Sequence, residues 1–281
     1  MEIVERIDVL HDRLAAARRA GKEVGFVPTM GALHDGHMSL MKFCREENEV
    51  CVASIFVNPA QFNNQEDLRT YPRTLEADCA LLEKEGCDFV FAPSVEEVYP
   101  TPDLRTFDYG SLTRRLEGEF RPGHFDGVLR VVSRLFDIVW PARAYFGRKD
   151  YQQFLVVREF VQREGLAITL RPCPTVRLKS GLAFSSRNVR LGADGVAVSA
   201  LINRILRKTL TERRGKTPAE AKAFVIRELS MAPEFKVEYF DIVNAYTLES
   251  AADWTDPFPK VGLIAVYVKG VRLIDHIAYD E

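Results

Sequence analysis

Apolar side chains at Ile3, Ile7, Leu10, Leu14 and Ala17 recur at helical spacing and predict a helix over residues 3–20. The short run Val24 to Pro28 then predicts a buried strand, and His37 to Glu47 a helix carrying Met38, Leu40, Met41 and Cys44. Val50 to Val57 is β-branched and nearly continuous, as in a strand covered on both sheet faces. Farther along, Leu75 to Glu85, Val128 to Val139 and Phe154 to Glu164 read as helices. Asp88 to Phe91, Ala144 to Phe146 and Ala167 to Leu170 read as strands between them. Such alternation predicts an α/β fold, a Rossmann-like doubly wound parallel sheet with helices on both faces and right-handed crossovers.

The pattern changes near residue 175. Helical stretches over 196–214 and 218–231 precede a strand from Val237 to Val243 and two more from Gly262 to Val268 and Val271 to His276. Lys269-Gly270 suits a tight hairpin between the last two. The expected division is a first domain over 1–175 and a small α+β C-terminal domain over 176–281.

Composition narrows the class of function. Lys and Arg number 38 against 40 Asp and Glu, a formal net charge of -2, with both signs interspersed. A nucleic-acid binder needs a basic excess to neutralise phosphates, so none is expected as a partner. The densest basic group, Arg204, Arg207, Lys208, Arg213 and Arg214, reads as a solvated helix face. No apolar stretch approaches the ~18 residues of a membrane span, and the N-terminal segment is charged and amphipathic rather than a signal sequence. Five cysteines without a CxxC pair read as buried reduced thiols, so the expected compartment is the cytoplasm.

The chemistry gathers where strands run out. Pro28-Thr-Met-Gly-Ala-Leu-His-Asp-Gly-His37 lies between a strand and a helix, and ligands of open α/β sheets bind beyond such strand ends. Gly31 and Gly36 let backbone approach a ligand closely, and the helix start offers free N–H groups to an anion such as a triphosphate. His34 and His37 can point to one side and donate to phosphate oxygens as charge develops. Two histidines at this spacing could instead bind a metal or serve structure alone, but no Cys or third His lies at ligand spacing. Past the next strand, Asn58 and Gln61 follow an apolar run; Gln61 could orient a hydroxylated or carboxylated substrate, and Asn58-Pro59 could simply form a turn. In Phe146-Gly-Arg-Lys-Asp-Tyr-Gln-Gln153, Lys149 is a compact cation suited to phosphate oxygens, and Asp150 could hold Mg²⁺, accept from a ribose or cap a helix. Ser185, Ser186 and Arg187 form a polar loop able to wrap phosphates or to be only a loop.

Together these blocks resemble the pantothenate synthetase family. PTMGALHDGH looks like its signature, a variant of the HIGH motif of nucleotidyltransferases and class I aminoacyl-tRNA synthetases. Ile55 to Phe62 is similar to the family's IFVNPxQF, Tyr71 to Thr74 to its YPRT, and Phe146 to Gln153 to its FG(E/Q)KD(Y/F)QQ. Ser180 to Asn188 is similar to the DGLAMSSRN block, the counterpart of a KMSKS loop, and Leu116 to Gly127 to LEG…RPxHFxGV. Arg148, Ser180 and Phe184 depart from the family pattern, and their roles are open.

The resemblance implies ATP-dependent condensation of (R)-pantoate with β-alanine to pantothenate, AMP and diphosphate through a pantoyl adenylate. It implies ATP and Mg²⁺, metal ligands undefined, and a homodimer. His37, His34, Lys149 and Arg187 carry over as catalytic. Met30, Gly31, His34, His37, Gly147, Lys149, Asp150, Val176, Phe184, Ser185, Ser186 and Arg187 carry over as the ATP site. Gln61, Gln153 and Asn58 carry over as the pantoate and β-alanine site. Arg121 and His124 line the pantoate pocket or the dimer contact. The runner-up is another HIGH-motif nucleotidyltransferase acting on a different small acceptor.

Overall fold

The computed structural model describes residues 1–62 and 65–279; Asn63, Asn64, Asp280 and Glu281, which the two expected domains include, lie outside them. The chain begins with β1 (Glu2–Val4), α1 (Ile7–Arg19), β2 (Val24–Thr29), α2 (Asp35–Glu47) and β3 (Val50–Ile55). It continues through α3 (Gln65–Arg69), α4 (Leu75–Lys84), β4 (Phe89–Phe91), and the short helices α5 (Val95–Val98), α6 (Ser111–Arg114) and α7 (Glu117–Phe120). Next come α8 (His124–Val139), β5 (Arg143–Gly147), α9 (Tyr151–Arg163) and β6 (Thr169–Cys173). These six strands form one parallel sheet in the order β1-β4-β3-β2-β5-β6.

The order follows from the apolar strands β2 and β3, buried at nearly every position, which take the centre. From β2 the chain winds one way through β3 and β4 and later the other way through β5 and β6. Strand order therefore reverses between β2 and β5, and the loops leaving their carboxyl ends part to make the crevice in which such sheets bind ligands. One face packs Val27, Ala53, Val90 and Tyr145 with Met41 of α2 and Leu82 of α4. On the other, Phe26 meets Phe136 of α8 edge-on, with centroids 6.5 Å apart. All five cysteines lie in the first cluster as buried free thiols, and burial pushes Cys87 and Cys173 up to about 12.

Two expected boundaries shift for identifiable reasons. The helix expected from residue 3 starts at Ile7, because Glu2–Val4 extends to satisfy the open edge of β4, burying Val4 and leaving Ile3 exposed. The last strand of the sheet runs over Thr169–Cys173 rather than 167–170, since pairing follows β5 to its end at Gly147. Pro172 is tolerated there because β6 is an edge strand.

The chain divides into two compact units, one of residues 1–148 with 152–174, the other of 149–151 with the residues from 175 onward. In the second unit, residues 176–184 make a small hairpin in which Leu178 N–H donates to Leu182 O at 2.8 Å and Phe184 N–H to Val176 O at 3.1 Å. A 3₁₀ turn, Ser186–Arg190, leads into α10 (Gly192–Glu212) and α11 (Pro218–Ser230), which cover an antiparallel sheet of β7 (Phe235–Asn244), β8 (Lys260–Val268) and β9 (Val271–Ala278). Ile202, Leu206, Val225 and Leu229 pack there on Phe240, Ile264 and Val266. Lys269 (φ 48°) and Gly270 (φ 80°) both take positive φ, as a two-residue hairpin turn of primed type requires.

Arg177 fixes the small hairpin to β9 by a bidentate pair with Asp275, both contacts 2.7 Å, and the Asp275 side chain is only 3% exposed. Arg177→Ala leaves that carboxylate buried and unpaired, and the expected loss is about 3–5 kcal/mol by urea unfolding. A loss below about 1 kcal/mol, the value of an exposed pair, would contradict this account.

Candidate active site

The loop leaving β2 must reverse direction before α2, and its conformation is specified by polar groups beneath it. Thr29 Oγ1 donates to Ser54 O at 2.6 Å and accepts from Gly31 N–H at 3.1 Å. Gly31 (φ 78°) and Ala32 (φ 50°) are both left-handed, which for alanine costs about 1–2 kcal/mol. The buried Asp78 of α4 offsets that cost. Its carboxylate accepts from Ala32 N–H at 2.9 Å, Leu33 N–H at 2.8 Å and the Thr74 hydroxyl at 3.2 Å. A β-carbon at Gly31 would lie 3.0 Å from both Asp78 Oδ2 and Ile55 Cγ2, so this position has little room for a side chain.

Helix α2 starts at Asp35, two residues before the expected start, because His34 caps it: its Nδ1 accepts from Gly36 N–H at 3.1 Å. With Nδ1 accepting, the proton of the neutral ring sits on Nε2. The His34 and His37 rings face each other with centroids 4.1 Å apart. The two imidazoles thus share the N-terminal end of a 13-residue helix, where the backbone dipole favours an anion.

Beyond β3 the chain makes a 3₁₀ turn, Pro59–Gln61. Asn58 is fully buried and its amide is committed to protein: Oδ1 accepts from Ala60 N–H at 3.3 Å, and Nδ2 donates to Gly127 O at 3.0 Å and Gln61 Oε1 at 3.2 Å. Tyr99 also donates to Asn58 Oδ1 at 3.3 Å, and burial, chiefly, pushes its phenol upward, so it stays a donor. Gln61 Nε2 lies 2.8 Å from Met30 Sδ, which brings the exits of β2 and β3 together. Gln61 is half-buried.

At the end of β5, Gly147 does not take a left-handed φ, and a β-carbon there would meet nothing within 4 Å. Neither backbone nor packing within the protein requires glycine, which leaves close approach of a ligand as a reason for it. The next residues, Arg148–Asp150, form a 3₁₀ turn in which Lys149 Nζ lies 3.2 Å from Asp150 Oδ2. Gln152 is buried and acts as a clamp: Nε2 donates to Leu112 O at 2.9 Å and Arg115 O at 2.8 Å, and Oε1 accepts from Glu117 N–H at 3.1 Å. Its neighbour Gln153 is half-buried.

In the second unit the small hairpin pairs Val176 with Phe184. Ser185 Oγ accepts from Arg187 N–H at 3.3 Å and caps the turn that carries Ser186 and Arg187. Asn188 secures the turn by donating to Ala183 O at 3.1 Å. Ser180 lies at the exposed tip of the hairpin.

Several groups that set this geometry were not singled out from sequence. Asp78 had one signal, an acid four residues before Leu82 on the face α4 buries. Gln152 had none beyond adjacency to Gln153. Among the described residues no group of three or more His, Cys, Asp or Glu is arranged to hold a metal ion, and no helix is long and apolar enough to cross a membrane.

Comparison with known proteins identifies the family. The family model described as "Pantoate-beta-alanine ligase" matches residues 2–278. A pantothenate synthetase of Porphyromonas gingivalis is 50% identical over 281 residues, covering all of both chains. One of Phocaeicola vulgatus is 51% identical over 280 residues, covering 99% of each. Among solved structures, a pantothenate synthetase of Thermus thermophilus is similar with a TM-score of 0.92 at 44% identity, covering 99% of each chain. A Francisella tularensis pantoate-beta-alanine ligase, complexed with "Beta-gamma ATP" and β-alanine, has a TM-score of 0.84 at 34% identity, covering 100% of this chain and 98% of its own. With its motifs in order and the match running from end to end, the chain belongs to the pantoate–β-alanine ligase family.

Proposed function

We propose that the chain joins (R)-pantoate to β-alanine, using ATP, and releases pantothenate, AMP and diphosphate. The observation that carries the reading is the His34–His37 pair, set together with ring centroids 4.1 Å apart at the start of α2, where strand order reverses. A carboxylate resists attack by an amine because oxide would have to leave. Attack of a pantoate carboxylate oxygen on the α-phosphorus of ATP expels diphosphate and gives pantoyl adenylate, whose leaving group is AMP. The β-alanine amine then attacks the acyl carbon, AMP departs and the ammonium loses a proton. No protein nucleophile takes part, so the chain supplies positioning and charge stabilisation.

His37 and His34 donate to phosphate oxygens, and Lys149 and Arg187 neutralise phosphate charge. Met30, Gly31, Gly147, Asp150, Val176, Phe184, Ser185 and Ser186 contact the nucleotide. Gln61 and Gln153 hold pantoate, and Asn58 acts by holding Gln61. The Francisella ligase with its nucleotide and β-alanine supports the same ligands here. Mg²⁺ would neutralise phosphate charge when bound to the nucleotide, and Asp150, its side chain 44% exposed and 3.2 Å from Lys149 Nζ, would be the motif carboxylate to hold it. The first domain, 1–175, binds nucleotide and pantoate, and the second, 176–281, begins with the phosphate loop. The working form is a cytoplasmic homodimer.

Omitting each substrate in turn tests the reading: AMP and pantothenate form only with ATP, pantoate and β-alanine together, and pyrophosphate exchange into ATP requires pantoate. Exchange without pantoate would reject the assignment. His37→Ala is expected to lower kcat by ~10²-fold or more with little change in melting temperature, as on removal of one preorganised donor. Near wild-type kcat would remove His37 from the mechanism. Asp78→Ala strands the Ala32 and Leu33 N–H groups; unfolding free energy should fall by about 2–4 kcal/mol and kcat with it. Retention of both would show that the loop holds its shape without that acceptor.

A further inference from the structure

We infer that Arg121 and His124 are a positioning pair for Gln61, setting pantoate affinity through the Gln61 backbone; the inference rests on Gln61 holding pantoate. Gln61 ends a 3₁₀ turn, and the last carbonyls of such a turn lack a partner within it. Its oxygen is met instead by side chains 63 and 60 positions away: His124 Nδ1 at 3.0 Å and Arg121 Nη2 at 3.4 Å.

The hydrogen bonds fix the histidine's tautomer. Arg121 Nη1 lies 3.1 Å from His124 Nε2, and a guanidinium only donates, so Nε2 is the acceptor. Nδ1 therefore carries the proton and donates it to Gln61 O. Arg121 is itself oriented by the buried Glu117, whose Oε2 accepts from Nη1 at 3.3 Å. Gly123 (φ 77°) turns the chain between Arg121 and α8, so both side chains serve one carbonyl.

Glycine at 127 lets this grip close. A β-carbon there would collide with Ala60 O, so α8 presses directly against the Pro59–Gln61 turn. With its carbonyl held by Arg121 and His124 and its amide by Asn58 and Met30, Gln61 presents its side chain in one orientation. Losing the carbonyl contacts frees the turn to rotate and misaims the amide, while the nucleotide-binding loop after β2 keeps its own support from Asp78.

Steady-state kinetics of His124→Gln, His124→Asn, Gln61→Ala and the double variant H124Q/Q61A test this. An asparagine amide nitrogen reaches the place of Nδ1, whereas a glutamine amide reaches that of Nε2. His124→Gln should raise the KM for pantoate about tenfold with the KM for ATP unchanged, the scale of losing an outer-layer orienting bond. His124→Asn should stay within about threefold of the parent, and in the Gln61→Ala background His124→Gln should add less than about twofold. A pantoate KM unchanged in a folded His124→Gln protein, a parallel rise in the ATP KM, or full additivity overturns the inference. Should His124→Gln not fold, Arg121→Lys, whose single ammonium cannot bridge both groups, must raise the pantoate KM alone, and an unchanged value overturns it. A Gln61→Ala protein with normal pantoate KM sinks the assignment of Gln61 itself, and the positioning role with it. A raised value there alongside a normal His124→Gln sinks only the positioning pair.

Discussion

The loop after β2 has to turn through two left-handed residues, and the N–H groups of Gly31, Ala32 and Leu33 are met by side chains. Buried N–H groups need acceptors, so the loop's shape depends on where acceptors are placed beneath it. Asp78 supplies them from α4, with Thr29 and Ser54 completing the set. A carboxylate gives two oxygens, and here each meets one backbone N–H. That arrangement places His34 as the cap of α2, and the cap in turn sets His37 against it at 4.1 Å. The histidine pair is thus a consequence of a hydrogen-bond account closed by an acid on a neighbouring helix.

The same logic repeats at the other strand ends. Asn58 is wholly buried, and its amide ties the exit of β3 to Gly127 of α8. Gln152 gathers three backbone groups of residues 112–117 onto the start of α9. In each case a buried amide or carboxylate satisfies loop backbone, and its neighbour in sequence or space is a more accessible residue of the motif. Buried polar groups of this kind are costly when half satisfied, so they hold a single arrangement rather than a family of similar ones. Catalysis that works by positioning needs that property.

How much of this was legible follows from what each feature depends on. The central strands and helices α2, α4, α8 and α9 depend on burial, which writes itself into sequence as apolar runs and helical spacing. Glu2–Val4 depends instead on an edge left open by β4, more than 80 residues away, so its own pattern extended the neighbouring helix. The four-residue helices α5, α6 and α7 are too short to show a period. Among the candidate residues, His34, His37, Gln61 and Lys149 could be singled out because they sit in ordered motifs at strand ends. Asp78, Gln152 and the contact of His124 with the Gln61 carbonyl were not, since each depends on which loop the fold brings overhead.

Two of the three departures from the family pattern, Ser180 and Phe184, fall where backbone carries the local geometry. Ser180 stands where aspartate is usual, at an exposed hairpin tip next to the left-handed Gly181, and both residue types favour such turns. Phe184 stands where methionine is usual, and the bond that shapes the hairpin there runs from its backbone N–H to Val176 O. Either side chain leaves that bond intact and offers an apolar surface. By contrast, Arg177 holds the hairpin through its guanidinium, which forks onto a buried carboxylate in a way that no shorter or singly charged donor can reproduce. Substitution is therefore permitted where backbone carries the geometry and constrained where a side chain does.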